Sequence, residues 1–170
     1  ILKGRNEDEA LDLVNFARNR KIDIAFIEEM PLGLIDEHNR ALSFCSSEEL
    51  RDMLGASLDL QTEGDPGGNA GPARYYRIPG DKTRIGFISP HSHNFCHLCN
   101  RVRVTAEGRL LLCLGNEHSV DLRAVLRAAG YTRALLRQTL ADAMAIKPEQ
   151  HHFDLDNKPE ILRFMNVTGG

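Results

Sequence analysis

Apolar residues in the first part of the chain follow a helical period and then a strand period. Leu11, Val14 and Ala17 recur at helical spacing and predict a helix over residues 7–20. Residues 22–30, IDIAFIEEM, are apolar on both alternating faces, which is typical of a parallel strand with both faces buried. Since ILKG at the start predicts the end of another strand, the sequence predicts a βαβ unit.

A turn-rich segment separates this region from a series of shorter elements. Ser46 with Glu49 has the pattern of a helix start and predicts a short helix that ends near Gly55. The segment QTEGDPGGNAGP follows, and we take it as a boundary between a domain of residues 1–60 and a domain of residues 61–170.

The second region predicts short strands followed by two helices. ARYYRIP and TRIGFIS have the alternation of strands, and RVRVTAEGRLLLCL predicts a hairpin with strands over residues 101–105 and 109–114. A short helix is predicted after Asp121, and a second helix is predicted with Thr132 as its cap and an apolar face. That face comprises Leu135, Leu136, Leu140 and Met144.

Composition narrows the possible classes of protein. The chain has 170 residues, and 42% of them are hydrophobic, which favours a folded protein over a disordered one. Its net charge of −3 gives no overall positive field that would attract nucleic acid or an anionic membrane. No apolar run approaches membrane-spanning length, and ILKGRNEDEA lacks the pattern of a signal peptide, so we expect a cytoplasmic protein. In that compartment its four cysteines favour metal or redox chemistry over disulfides.

Three of the cysteines form the pattern C-x2-C-x13-C. Cys96 and Cys99 share a tight turn, and the predicted hairpin returns Cys113 toward them, which is the geometry of zinc-ribbon and iron–sulfur sites. One alternative is a zinc site with three cysteine ligands and one histidine ligand, drawn from His91, His93, His97 and His118. The other is an iron–sulfur cluster on three thiolates, with one iron open to substrate.

Two arginines close to the second cysteine favour the open site. Arg101 and Arg103 lie two residues apart on the predicted strand and so share one of its faces. Two guanidinium groups beside a metal suit a ligand that carries phosphate. Two solvated surface charges are the alternative interpretation of the same pattern.

The stretch FCHLCNRVRVTAEGRLLLCL with VDLRAVLR resembles the carboxyl-terminal region of the GTP 3',8-cyclase family, the molybdenum cofactor biosynthesis protein A family. FIEEMPLG, the KGRNEDE start and the terminal glycine pair resemble the same family, so the resemblance covers the whole chain. It implies an α/β fold: the C-terminal strands and helices of a partial (βα)6 TIM-like radical S-adenosylmethionine barrel, followed by an α+β iron–sulfur domain.

The resemblance also implies roles for individual residues. Cys96, Cys99 and Cys113 match the ligands of a [4Fe-4S] cluster, and Arg101, Val102 and Arg103 match a GTP-binding stretch. Met30, which by pattern alone is a core or loop-packing residue, matches a residue that contacts S-adenosylmethionine. Gly169 and Gly170 match a tail that reaches the active site and assists the radical reaction.

The implied reaction is the cyclisation of GTP to a 3',8-cyclo adduct on the way to cyclic pyranopterin monophosphate. The implied partners are GTP, an N-terminal radical S-adenosylmethionine part, cyclic pyranopterin monophosphate synthase as the downstream enzyme, and a second copy in a homodimer. Membrane and nucleic-acid partners are not implied.

Two departures from the family pattern qualify this expectation. The C-x3-C-x2-C motif of the radical-generating cluster is absent, and Cys45 is isolated, so we expect this chain alone not to cleave S-adenosylmethionine. Ala25 stands where the family strand usually has a substrate-contacting arginine. A degenerate paralogue without activity therefore stays an alternative.

Overall fold

The computed structural model describes residues 1–64, 71–151 and 153–155, which fall into two units. Unit 1 comprises Ile1–Met30 and Glu37–Phe95, and unit 2 comprises Pro31–Asp36 and the chain from Cys96 onward. This division differs from the boundary predicted at residue 60, because strands before and after that residue belong to one sheet of unit 1.

The sheet of unit 1 has four strands in the order β1-β4-β3-β2. They are β1 (Ile24–Ile27), β2 (Gln61–Thr62), β3 (Arg74–Arg77) and β4 (Arg84–Ile88). β1 pairs in parallel with β4, while β3 runs antiparallel to β4 and β2. The sheet is therefore mixed, with β1 and β4 as its parallel pair.

Three helices belong to unit 1: α1 (Ala10–Arg20), α2 (Arg40–Ser43) and α3 (Ser47–Gly55). α1 begins later than predicted, because the Asn6 side chain accepts from the backbone N–H of Leu2 instead of capping the helix. The predicted start of α3 is confirmed, since Ser46 and Glu49 form a reciprocal capping box. The core of the unit comprises Ala10, Val14, Phe26, Cys45, Leu50, Leu54, Ile85 and Phe87.

The prediction that the first strand is buried on both faces is wrong. Of the predicted residues 22–30 only Ile24–Ile27 form β1, and only Phe26 within it is buried. The core side chains of α1 and α3 cluster with Phe26, whereas Ala25 and Ile27 point to the opposite, exposed face. On that face the ring of Tyr75 lies against Gly86 of β4, which is buried.

Unit 2 contains an antiparallel sheet in the order β5-β6-β7 and two helices. The elements are β5 (Arg103–Val104), β6 (Arg109–Leu111), β7 (Ser119–Asp121), α4 (Leu122–Arg127) and α5 (Arg133–Ala145). The predicted hairpin is confirmed with shorter strands, and β7 extends it. Leu110, Leu112 and Ala143 form the buried core, with Val120 and Leu122 packed against it.

The predicted N-cap of α5 is confirmed, but most of the apolar face predicted for this helix is not buried. Thr132 Oγ1 accepts from the backbone N–H of Leu135 at 3.0 Å, as expected of an N-cap. Of the predicted apolar face, however, Leu135, Leu140 and Met144 are exposed. The helix contributes Ala143 to the core instead, where it clusters with Leu110 and Leu112.

Together the two small sheets and their helices establish a mixed α/β architecture, as predicted. Within the described ranges, none of the helices combines the length and apolarity that a membrane crossing requires.

The hairpin turn of unit 2 depends on Gly108. Its φ of 81° lies in the left-handed region that glycine alone adopts without cost. Its carbonyl oxygen accepts from the backbone N–H groups of Leu122 and Arg123 at 3.0 and 3.2 Å, so the start of α4 rests on the turn. A Cβ atom at Gly108 would lie 2.9 Å from the Cβ atom of Arg123, which is too close to the helix backbone to move aside.

We therefore expect Gly108→Ala to lower the free energy of unfolding by more than the roughly 1–2 kcal/mol that left-handed backbone costs an L-residue. Gly80→Ala is the matched control, since Gly80 has a φ of 80° and nothing within 4 Å of the added Cβ. Urea unfolding of both variants measures the difference. Equal losses in the two variants would show that contact with α4 adds nothing.

Candidate functional site

Cys96 and Cys99 lie on one tight turn at the start of unit 2. A single turn of 3₁₀ helix spans Cys96–Leu98, and the backbone N–H of Cys99 donates to the carbonyl oxygen of Cys96 at 2.9 Å. Both cysteines are partly exposed, and neither is in a disulfide bond. The turn therefore presents two sulfurs from neighbouring positions, as the C-x2-C pattern predicts.

Cys113 stands just after β6, on the return strand of the hairpin. Arg103 pairs with Leu111, and the backbone N–H of Leu112 donates to the carbonyl oxygen of His118 at 3.3 Å. Leu112 is fully buried in the core of unit 2, which fixes the position of the residue that follows it. Cys113 is consequently held by the packing of its neighbour.

The pKa of the Cys113 thiol lies above its ordinary value, and the largest cause is burial. The thiols of Cys96 and Cys99 also act to raise this pKa, whereas the backbone of Gly115 and the charge of Lys147 act to lower it. The Cys113 thiol is therefore electrostatically sensitive to both cysteines of the turn.

This donor set fits an iron–sulfur cluster in its chemistry, because such clusters are held by cysteine thiolates. None of the three cysteines is in a disulfide bond, and all three belong to unit 2. Within residues 1–64, 71–151 and 153–155, no group of three or more His, Cys, Asp or Glu side chains is arranged to hold a metal ion.

The prediction that Arg101 and Arg103 share one face of a strand is not confirmed. β5 begins at Arg103, so Arg101 and Val102 precede the strand and are exposed. Neither guanidinium has a hydrogen-bond or ion-pair partner in the part of the chain that the structure describes. By contrast, Arg84 of unit 1 donates to Asp23 at 2.6 Å. The arginines near the cysteines are therefore available to a ligand.

The four histidines considered as a fourth ligand are divided between the units. His97 and His118 are exposed residues of unit 2. His91 and His93 belong to unit 1, where the ring of His91 packs against Phe44 with centroids 5.0 Å apart. The choice between a histidine ligand and an open position stays a prediction.

Met30 follows β1 at the carboxyl end of the strand in unit 1. It is partly buried and is not a member of the core cluster of the described residues. Its predicted contact with S-adenosylmethionine stays a prediction. Gly169 and Gly170 lie outside the described residues.

Glu28 joins three segments of unit 1, a role that sequence analysis missed. Its side chain is buried, with 3% of the residue exposed. It accepts from the backbone N–H groups of Ser47 at 2.8 Å, His91 at 3.0 Å and Ser92 at 2.9 Å, and from the hydroxyl of Ser92. The carboxylate thereby ties β1 to the start of α3 and to the loop that leads toward Cys96.

The neighbouring carboxylate, Glu29, receives two side chains from the region of α2. His38 Nε2 lies 2.9 and 3.0 Å from its two oxygens, and Arg40 Nε donates to it at 3.1 Å. His38 Nδ1 is buried and has no partner among the described residues. The sequence signal that marks this end as a candidate site is a pair of acidic residues at the carboxyl end of a parallel strand.

The comparison with known proteins gives matches that include the cysteine stretch and cover most or all of the chain. Residues 22–153 match the family described as Molybdenum Cofactor Synthesis C. The whole chain is 57% identical to a GTP 3',8-cyclase of Marinobacter nauticus and 57% identical to one of Pseudomonas entomophila. It is 56% identical to a GTP 3',8-cyclase of Saccharophagus degradans.

A match over most of the chain defines its class: the protein belongs to the Molybdenum Cofactor Synthesis C family. The relatives named GTP 3',8-cyclase place that family in molybdenum cofactor biosynthesis. The chain spans about half the length of these relatives, 51% in each of the three.

The contacts of Glu28 lead to a prediction for the stability of unit 1. In Glu28→Gln the amide nitrogen faces backbone N–H donors, so buried donors lose their acceptor at a cost of roughly 1–3 kcal/mol. The control is Glu48→Gln, because the Glu48 side chain is 77% exposed. Urea unfolding should show the loss only in the first variant. An unchanged midpoint would mean that the buried carboxylate does not hold the three segments together.

Proposed function

We propose that this chain supplies the substrate-binding iron–sulfur part of a GTP 3',8-cyclase. The observation that carries the proposal is that unit 2 contains Cys96, Cys99 and Cys113 together with two arginines, Arg101 and Arg103, that lack a partner among the described residues. The names of the relatives supply the reaction, and the chemistry of sulfur donors beside guanidinium groups supports it.

Cys96, Cys99 and Cys113 are the residues that would hold a [4Fe-4S] cluster. When bound, a cluster on three thiolates supplies one iron without a protein ligand, which accepts an electron pair from the guanine end of GTP. The turn at Cys96–Leu98 and the packing of Leu112 hold the sulfurs in place before any ligand arrives. Such preorganisation lowers the cost of assembling the site.

Arg101 and Arg103 would bind the triphosphate. Guanidinium groups form forked, charge-assisted hydrogen bonds to phosphate oxygens. Because Arg101 precedes β5 and Arg103 lies within it, the two side chains reach a ligand from different backbone settings. Val102 separates them and is exposed, so it offers an apolar contact to the same ligand.

The rest of the reaction needs residues outside this site. Met30 would contact S-adenosylmethionine at the carboxyl end of β1, and Gly169 and Gly170 would assist the radical step. We propose that an N-terminal part completes a radical S-adenosylmethionine barrel with the elements of residues 1–60, and that cyclic pyranopterin monophosphate synthase uses the product. A homodimer of the complete protein belongs to the same proposal.

Two other functions stay in competition with this one. A zinc module with three cysteine ligands and one histidine would bind a partner without catalysis. A degenerate paralogue would keep the site but not the reaction, and the motivation for it is Ala25, which is exposed on β1 in place of the family arginine. Metal content separates the first from the cyclase, and turnover of GTP separates the second.

Anaerobic reconstitution of the full-length protein with iron and sulfide should yield a brown protein that contains a cluster on the cysteines of unit 2. Replacing Cys113 by Ser should lower the iron bound by about one cluster, or four irons, since three thiolates are the expected ligands. Cys45→Ser is the control, because Cys45 is buried in the core of unit 1. A colourless protein with one zinc ion would establish the zinc module instead.

The proposed role of the arginines predicts a loss of GTP affinity. Arg101→Ala and Arg103→Ala should each weaken binding by roughly 1.5–3 kcal/mol, the usual contribution of a hydrogen bond to a charged group. The control is Arg137→Ala, on an exposed position of α5. Titration of the reconstituted protein with GTP measures the change. Unchanged affinity in both arginine variants would assign these charges to the solvated surface.

A further inference from the structure

We propose that His151 and Phe153 form a cover over the loop that follows Cys113, and that Gly115 is the residue that admits this cover. The cover limits access of solvent and small reagents to the Cys113 thiol. The proposal concerns access to the sulfur itself. Only its consequence for a bound cluster rests on the proposed function.

The two aromatic side chains form one stacked pair. Their ring centroids are 3.8 Å apart with an interplanar angle of 29°, and both residues are partly buried. Stacking joins the imidazole and the phenyl ring into one aromatic unit. We call His151 and Phe153 the aromatic cover.

Gly115 lies beneath the aromatic cover with no space for a side chain. A Cβ atom there would be 2.7 Å from the Cβ atom of His151, 2.7 Å from Cε1 of Phe153 and 2.8 Å from its Cζ. Gly115 is also buried. Its φ is not in the left-handed region, so any L-residue could adopt its backbone conformation. The contact with the cover is therefore the reason that this position requires glycine.

The same glycine lies two residues after Cys113 in the chain. Its backbone acts to lower the pKa of the Cys113 thiol, in opposition to burial, which raises it. A rearrangement of Gly115 would therefore change the surroundings of the sulfur. Hydrogen bonds to sulfur and solvent exposure are two of the properties that set the behaviour of an iron–sulfur centre.

The test measures the reactivity of Cys113 in the full-length protein, reduced and free of metal. Iodoacetamide labelling at fixed pH, followed by mass spectrometry of the peptides, gives a rate for each cysteine. The variants are Gly115→Ala, which inserts the missing Cβ atom, Phe153→Ala, which removes half of the cover, and the double variant. Phe153→Ala leaves the sequence of the loop unchanged, so it tests the cover without altering Gly115.

Two internal controls accompany these variants. Gly130→Ala is matched to Gly115→Ala, because Gly130 is in the same unit, has no left-handed φ and has nothing within 4 Å of an added Cβ. Cys45 is 5% exposed in the core of unit 1 and reports unfolding of the protein in every sample. A variant that labels Cys45 at the parent rate has kept that core.

We expect Gly115→Ala and Phe153→Ala each to raise the labelling rate of Cys113 roughly tenfold or more, since overpacking or loss of the ring weakens the closed arrangement. The double variant should not exceed the larger single effect by much, because both substitutions remove the same contact. Gly130→Ala should match the parent.

The proposal would be overturned if Cys113 were labelled at the parent rate in both single variants. It would also be overturned if the labelling rate of Cys113 rose in Gly115→Ala but not in Phe153→Ala. Because the labelling is measured without iron, its outcome is independent of the cluster. Failure to reconstitute iron would contradict the proposed function while leaving the cover intact.

Discussion

The candidate site depends on the burial of Leu112 between two chain reversals. β6 pairs with β5 on one side and β7 on the other, and its apolar side chains fill the core of unit 2. Leu110, Leu111 and Leu112 are three consecutive buried residues, so the chain is anchored in the core immediately before Cys113. Loss of this packing would release the third thiol from its position after β6, whatever ligand it binds.

The predictable part of the fold is the part determined by local chemistry. The capping box of α3, the Thr132 cap and the hairpin depend on residues within a few positions of one another, and all are present. The burial of β1 and α5 was predicted wrongly, because an apolar residue does not specify which partner covers it. Ile27 and Leu140 are apolar by pattern and yet exposed in the structure.

In the candidate site, too, features that depend on nearby residues could be predicted and long-range contacts could not. The spacing of the cysteines predicts their proximity, and a shared metal site of the three thiols stays a prediction. Sequence analysis missed the three-segment contact of Glu28 and the position of His151 and Phe153 over Gly115, because both join residues far apart in the chain. No local pattern marks an acceptor whose donors arrive from another element. The shared face of Arg101 and Arg103 was not confirmed, since the strand begins two residues later than the alternation suggests.

The parallel pair of β1 and β4 has a consequence for the order of folding. Ile24 pairs with Ile85, and the carboxylate of Glu28 accepts from backbone donors that lie 63 and 64 residues further along the chain. Contacts of such long sequence separation carry a large loop-closure cost and form slowly. The sheet of unit 2 is made of sequential hairpins and has no such delay. During synthesis, unit 1 therefore cannot close its sheet until β4 has left the ribosome, while the cysteine hairpin can fold as soon as its own strands emerge.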